Sequence, residues 1–253
     1  MIENLKLGKK AARHGAVKLK LIDFVDLSAL PKPPASFGHE QLFKPSEWGM
    51  LGNDKYGCCV FSGAAHETML WNLECGKRVI FDDASVLSDY SAVTGFDACN
   101  PNTDQGTDMQ AAASYRLKTG IKDSTGLRHQ IGAYLAIAPG NLQEHYIASY
   151  LFHAMGIGIQ VSDVAMDQFR KGKPWTVVKN SRNEGGHYIP IVGKRLNNIN
   201  SVSWGRIQPM SVDFFTKNND ESVAYVSLEM LVNNKSSEEF DSEGLIKILN
   251  QLK

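Results

Sequence analysis

The sequence has no long apolar run, few cysteines, no excess charge of either sign and no internal repeat. No stretch approaches the ~18 consecutive apolar residues of a membrane span, and the first residues lack the apolar core of a secretory signal. Lys and Arg (27) balance Asp and Glu (27), so no global field holds a polyanion, and nucleic acid is not an expected partner. Four cysteines in 253 residues, two of them adjacent at Cys58 and Cys59 and the others at Cys75 and Cys99, do not make a disulfide framework. His66-Glu67 has no second histidine four positions on, and His39, His129, His145 and His153 form no cluster with cysteines at metal-ligand spacing. No phosphate-cradling glycine loop is present either, so neither a metal nor a nucleotide or other cofactor is expected.

What is present is an ordinary globular composition, 43% hydrophobic and 21% charged, enough to fold without a partner. Residues 1–48 read as an extended lead-in. Its first part is basic (Lys6, Lys9, Lys10, Arg13, Lys18, Lys20) and is given no function. Residues 49–253 read as one domain with a helical half, 49–153, and a β half, 154–253. Cys59 to Glu74 is rich in Ala, Met, Leu and Trp and stops at Gly76, the signature of a buried helix with a glycine end. Further helices are expected from Asp83 to Gly95, from the capping-box pattern Thr107-Asp108-Met109-Gln110 to Gly120, from Asn141 to about His153, and from Asp163 to Lys171. Strands are expected at Gly156–Val161, Tyr188–Val192, Ile199–Trp204 and Val223–Leu228, and Leu245, Ile246, Ile248, Leu249 and Leu252 pattern a closing helix. Helices followed by a sheet make an α+β arrangement.

The segment Gly52-Asn53-Asp54-Lys55-Tyr56-Gly57-Cys58-Cys59 leads directly into the first helix. A thiol attacks as its thiolate, and a helix N-terminus with a nearby imidazolium lowers a cysteine pKa from about 8.5 toward 3.5–7.5. On that ground the Cys59 thiolate is expected to be populated well below pH 7. Taken alone, Cys59 reads more readily as a small buried hydrophobe, as most free cysteines are. His187, in Gly185-Gly186-His187-Tyr188-Ile189-Pro190-Ile191-Val192-Gly193, opens an apolar strand 128 residues later.

These two segments resemble papain-like cysteine peptidases, in which a Gln six residues and a Gly two residues before the nucleophile lead into a long helix. Asn53 and Gly57 hold those places relative to Cys59, which selects Cys59 over Cys58. The family's catalytic His is likewise followed by an apolar run ending in Gly, at a separation close to that seen here. Ser203-Trp204-Gly205 resembles the Ser-Trp-Gly that follows the family's third catalytic residue, and the resemblance runs from Leu51 to Gly205. It implies a helical lobe with a central Cys-bearing helix packed against an antiparallel β lobe. It also implies Cys59 as nucleophile, His187 as base, Asn53 with the Cys59 amide as oxyanion donors, and Trp204 shielding the site. Where the family has an Asn before Ser-Trp-Gly, this chain has Val202; Asn200, two residues earlier, is the candidate substitute.

The expected activity is thiol-dependent hydrolysis of peptide or related amide bonds, on a peptide or protein substrate. The alternatives are a noncatalytic papain-like structural or interaction module, or acyl transfer through the same thioester. Similar sequences occur in bacteria and phages, and a cytoplasmic or virion-associated place is expected.

Overall fold

The computed structural model describes residues 5–30, 32–38, 40–230, 241, 244, 245 and 247. His39 and most of the expected closing helix lie outside them. Six α-helices and nine strands follow in chain order among the described residues. They are β1 (Phe37–Gly38), α1 (Cys59–Glu74), α2 (Asp83–Thr94), α3 (Met109–Lys118), β2 (Ile121–Lys122), β3 (Arg128–His129) and β4 (Ile131–Ala136). Then come α4 (Leu142–Leu151), β5 (Met155–Ser162), α5 (Asp163–Arg170), β6 (Asn183–Arg195), β7 (Asn198–Ser203), β8 (Arg206–Ser211), α6 (Val212–Asn218) and β9 (Asn219–Ser227).

One antiparallel sheet carries the β part, in the order β4-β9-β5-β6-β7-β8, with β1 paired to β6. The long strand β6 is its spine, and the period-2 alternation of its residues sends them to two separate cores. Ile189 and Ile191 face a core built with α4, α5 and α6. Tyr188 and Val192 face a second core built around α1. The fold is thus α+β, with the helix that begins at Cys59 laid against the strand that carries His187.

Helix α1 is buried on every side from Cys59 to Asn72, which explains why its sequence has no polar face. It approaches β6 so closely because Gly63 faces Tyr188: a Cβ there would stand 2.5 Å from the Tyr188 ring. The Tyr188 hydroxyl donates to Glu67 Oε1 (2.6 Å), and Glu67 Oε2 pairs with Arg116 Nη1 at 2.6 Å, all within the core. Arg116 lies 4.0 Å over the Tyr225 ring, so three elements, α1, α3 and β9, are tied beneath the junction.

Several elements differ from the sequence-based expectation. The N-cap of α3 is Asp108, which accepts from Ala111 N (2.8 Å), so Thr107 is left outside the helix with its backbone free to pair elsewhere. Strand β4 comes from the helical half yet pairs with β9 in the large sheet, so the two halves of the sequence are not two separate layers. Strand β8 and the short α6 were not expected. They follow the tight turn Trp204-Gly205, in which both residues have positive φ (42° and 72°).

Candidate active site

The N-terminus of α1 meets the start of β6, and there Cys59, His187 and Asn53 line one small cavity of about 10 Å³, together with Met50, Ser203 and Trp204. That is room for about one water molecule. Asn53 reaches it because Leu51 (φ 53°) and Gly52 (φ 80°) reverse the chain just before it. The loop from Asn53 to the helix is pinned by Asp104, whose carboxylate accepts from Gly57 N (3.0 Å) and from the Tyr90 hydroxyl (2.6 Å). Helix α1 begins with Cys58 at its N-cap and no side-chain cap, so its first-turn N–H groups and positive dipole end point toward Cys59.

His187 is held on two sides. Its ring stacks on Trp204 with centroids 4.1 Å apart and planes 15° from parallel. Its Nε2 hydrogen-bonds Ser203 Oγ at 3.0 Å, while its Nδ1 is buried without a hydrogen-bond partner. Trp204 is carried at φ 42°, an uncommon conformation for a bulky side chain, and the tight turn that imposes it brings the indole over the imidazole. Asn200 does not reach His187. It pairs with Gly193, six residues along β6 from His187 (193 − 187), and its Nδ2 donates to Glu40 Oε1 (2.8 Å). The group that holds Nε2 is Ser203, a hydroxyl inside the Ser-Trp-Gly motif, where the family pattern has a carboxamide one position earlier.

Cys58 and Cys59 are separated as the register requires. Cys58 Sγ lies 3.4 Å from Ser62 Oγ and 3.6 Å from Leu51 O, away from the imidazole, and burial pushes its thiol up to about 12. The expected low pKa at Cys59 is not found in this state. Burial pushes the Cys59 thiol up to about 11, against the opposing pull of the Tyr188 and Gly8 backbone and the Lys9 charge. Burial likewise pushes His187 down to about 3. Thiol and imidazole are therefore both neutral.

The basic arm packs over this junction. Residues 6–10 run through the junction and are held from both sides. Gly8 N and Lys9 N donate to Gly186 O (3.2 and 3.1 Å), Thr107 N donates to Gly8 O (2.7 Å), and Lys10 N donates to Thr107 O (3.0 Å). Lys6 O accepts from Asn53 Nδ2 and from Trp204 Nε1, both at 3.1 Å. The donor expected to receive an oxyanion is thus satisfied by the arm's own carbonyl. Glycines make the fit: a Cβ on Gly8 would stand 1.9 Å from Gly57 O, and one on Gly106 would stand 2.1 Å from Gly8 O.

No protein-family model matches the chain, and no curated protein matches it in sequence. Solved structures do match. Xylellain, a cysteine protease from Xylella fastidiosa, superposes with a TM-score of 0.61 at 13% identity, over 90% of this chain and 93% of that one. Procathepsin B S9 from Trypanosoma congolense gives 0.63 at 12% identity over 88% and 86%. A Carica candamarcensis cysteine protease bound to E-64 gives 0.54 at 12% identity, over 77% of this chain and 99% of that one.

The fold is papain-like. At these identities the likeness extends to the fold alone. In this chain residues 6–10 occupy the junction between the start of α1 and the start of β6. No group of three or more His, Cys, Asp or Glu side chains able to hold a metal occurs among the described residues. No helix among them is long and apolar enough to cross a membrane.

Proposed function

We propose that the chain is a thiol-dependent hydrolase of peptide or related amide bonds, held closed by its own N-terminal arm. The observation that carries this reading is the cavity shared by Cys59, His187 and Asn53 at a helix N-terminus, with the free His187 Nδ1 beside it and Nε2 anchored to Ser203. The nucleophile and base are the indispensable pair, and a third group fixes tautomer and ring direction. Ser203 can serve that third role through one hydrogen bond.

In this reading displacement of residues 6–10 admits water and substrate, which reverses the burial that keeps both groups neutral. The Cys59 proton passes to His187 Nδ1, and the thiolate attacks the substrate carbonyl. The resulting oxyanion is met by Asn53 Nδ2, freed from Lys6 O, and by the Cys59 backbone N–H. His187 returns the proton to the departing amine, and water, deprotonated by the same ring, hydrolyses the thioester. Trp204 keeps its indole over His187 and shields the pair.

The test uses Gly8→Val in the full chain, since a side chain at that position meets the Gly57 carbonyl and cannot be seated. An epoxysuccinyl thiol-protease inhibitor should label the variant stoichiometrically at Cys59 and label the parent chain far more slowly. Absence of labelling in a variant that still folds would instead favour a noncatalytic papain-like module, in which Val202 in place of the orienting Asn marks a lost activity.

A further inference from the structure

The arm carries one side chain whose position is unusual for a lysine. Lys9 is fully buried along its side chain, with Nζ 3.0 Å from Asp220 Oδ1, 3.9 Å from Glu221 Oε2 and donating to Lys10 O at 2.9 Å. It reaches this place through a slot opened by a glycine. Gly158 lies inside β5 among Met155, Ile157, Ile159 and Val161, where a glycine weakens a strand unless something must approach closely. A Cβ there would stand 1.9 Å from Lys9 Cε. The floor of the slot is ordered independently of Lys9: Gln160 Nε2 donates to Asp220 Oδ2 (2.5 Å), and Asn219 Nδ2 donates to Gly158 O (2.9 Å).

The slot adjoins the proposed reaction centre. The Lys9 backbone N–H is bound by Gly186 O, one residue before His187, and the Gly8 backbone lies against the Cys59 sulphur. A second cation of the arm, Arg13, forks onto Asp108 with Nε–Oδ2 at 2.5 Å and Nη2–Oδ1 at 2.6 Å. When the arm leaves, Asp220, Glu221 and Asp108 lose both cations at once and remain as a carboxylate-lined slot and rim beside Cys59. Partly desolvated carboxylates without a counter-charge strongly favour a replacement cation over an apolar group.

Building on the hydrolase reading, we propose that this slot is the specificity pocket of the enzyme. A lysine or arginine of a peptide substrate, one or two residues from the scissile bond, takes the place that Lys9 holds in the closed chain. The arm is then a bound substrate mimic at this one position, its lysine standing for the substrate's basic side chain. Gly158 and Asp220 are specificity-determining and take no part in the chemistry.

The experiment uses full-length Gly8→Val with peptidyl fluoromethyl ketones carrying Lys, Leu or Glu at either of the two residues nearest the reactive carbon. The proposal expects the Lys reagent to modify Cys59 roughly 10²-fold faster than the Leu reagent, and Asp220→Asn to remove most of that preference. Equal rates for Lys and Leu would overturn the slot and leave the hydrolase reading standing. No modification by any reagent would count against the hydrolase reading itself. In that event, n-butylammonium added to full-length Lys9→Gly decides the slot without chemistry. A saturable rise in Tm that n-butanol does not give and Asp220→Asn abolishes supports a cation slot, and no rise overturns it.

Discussion

Arg116 and Lys9 are both buried cations paired with carboxylates, but the first is built into the core and the second ties the N-terminal arm to it. Arg116 pairs with Glu67, whose other oxygen takes the Tyr188 hydroxyl, and is packed over Trp71 and Tyr225. Every partner comes from a helix or strand that closes the second core. Lys9 sits in a slot whose Asp220 keeps 22% of its side chain exposed, and its segment has no regular secondary structure. A buried pair is expensive to assemble from water and adds stability mainly because breaking it is worse. In the core that asymmetry locks β6 and hence His187. At the arm, a partner that water can reach lowers the cost of separation.

The largest effect that would break this comparison is at the core pair. Arg116→Ala leaves Glu67 as an unpaired buried carboxylate and should cost about 3–5 kcal/mol, lowering Tm by roughly 10 °C in a chain of this size. Thermal unfolding followed by circular dichroism measures it. A loss no greater than that of a surface arginine would mean that the two pairs are not different in kind.

Lys9→Ala should act next, and locally. Asp220 can regain water, so global stability should fall by about 1 kcal/mol, in the range of an exposed pair. The arm's hold on the cleft should weaken by more. In the parent chain iodoacetamide should modify exposed Cys99 first and half-buried Cys75 next, with Cys58 and Cys59 slow. In Lys9→Ala and Gly8→Val, Cys59 should become the fastest site while Cys58 stays slow, because only Cys59 lies under the arm. Peptide mapping by mass spectrometry gives each rate. Parallel acceleration of both cysteines would point to general loosening of α1 and not to removal of a cover.

Acid sharpens the same contrast. Burial pushes His187 down to about 3, and His66 and His145 down to about 4. An unfolded imidazole titrates near 6.5, so between that value and the folded one the unfolded chain binds protons that the folded chain refuses. The stability these residues contribute is present above pH 6.5 and is lost as pH falls toward 4. Each histidine contributes up to about 1.4 kcal/mol per pH unit in that window. His66 and His145 protonate only on unfolding, whereas His187 can protonate once the arm leaves. Mildly acidic pH should therefore accelerate Cys59 labelling by the epoxysuccinyl inhibitor before it unfolds the chain. His187→Gln should abolish that acid acceleration.

Much of this organisation is legible in the residues. The span of α1 from Cys59 to Glu74 could be read because apolar composition and a glycine stop are local signals. The separation of Cys59 and His187 and the glycine spacing then indicated the fold. Strand β8 is not legible because Pro209 and its alternating polar residues do not announce a strand. The arm's place is not legible because pairings such as Lys9 with Thr107, across nearly a hundred residues, leave no periodicity. Only its charge gave a hint. The basic residues Lys9 and Arg13 find Asp220 and Asp108, and a neutral total concealed that complementarity. Ser203 stands in the motif itself, but the family pattern assigns the third role to an amide one position earlier and not to this hydroxyl.

The smallest expected effect concerns that serine and separates positioning from chemistry. Ser203 Oγ lies 3.0 Å from His187 Nε2 and, with the Trp204 ring, fixes the imidazole, whose Nδ1 is buried without a hydrogen-bond partner. In an arm-displaced Gly8→Val background, Ser203→Ala removes the hydrogen bond but leaves the stacking. Turnover should fall about tenfold, equal to about 1.4 kcal/mol of lost transition-state stabilisation. KM should stay nearly constant, since Ser203 touches no substrate. Ser203→Thr keeps a hydroxyl at the same atom and should restore most of the rate. The pH profile distinguishes this from simple damage. Without a neutral partner at Nε2, the ring loses its fixed tautomer, and the acid limb of kcat should move while Tm changes little. If Ser203→Ala and Ser203→Thr are equally slow with an unchanged acid limb, the imidazole is held by Trp204 alone. Val202→Asn would then be the variant to restore an orienting amide, because Val202 already lines the same cavity.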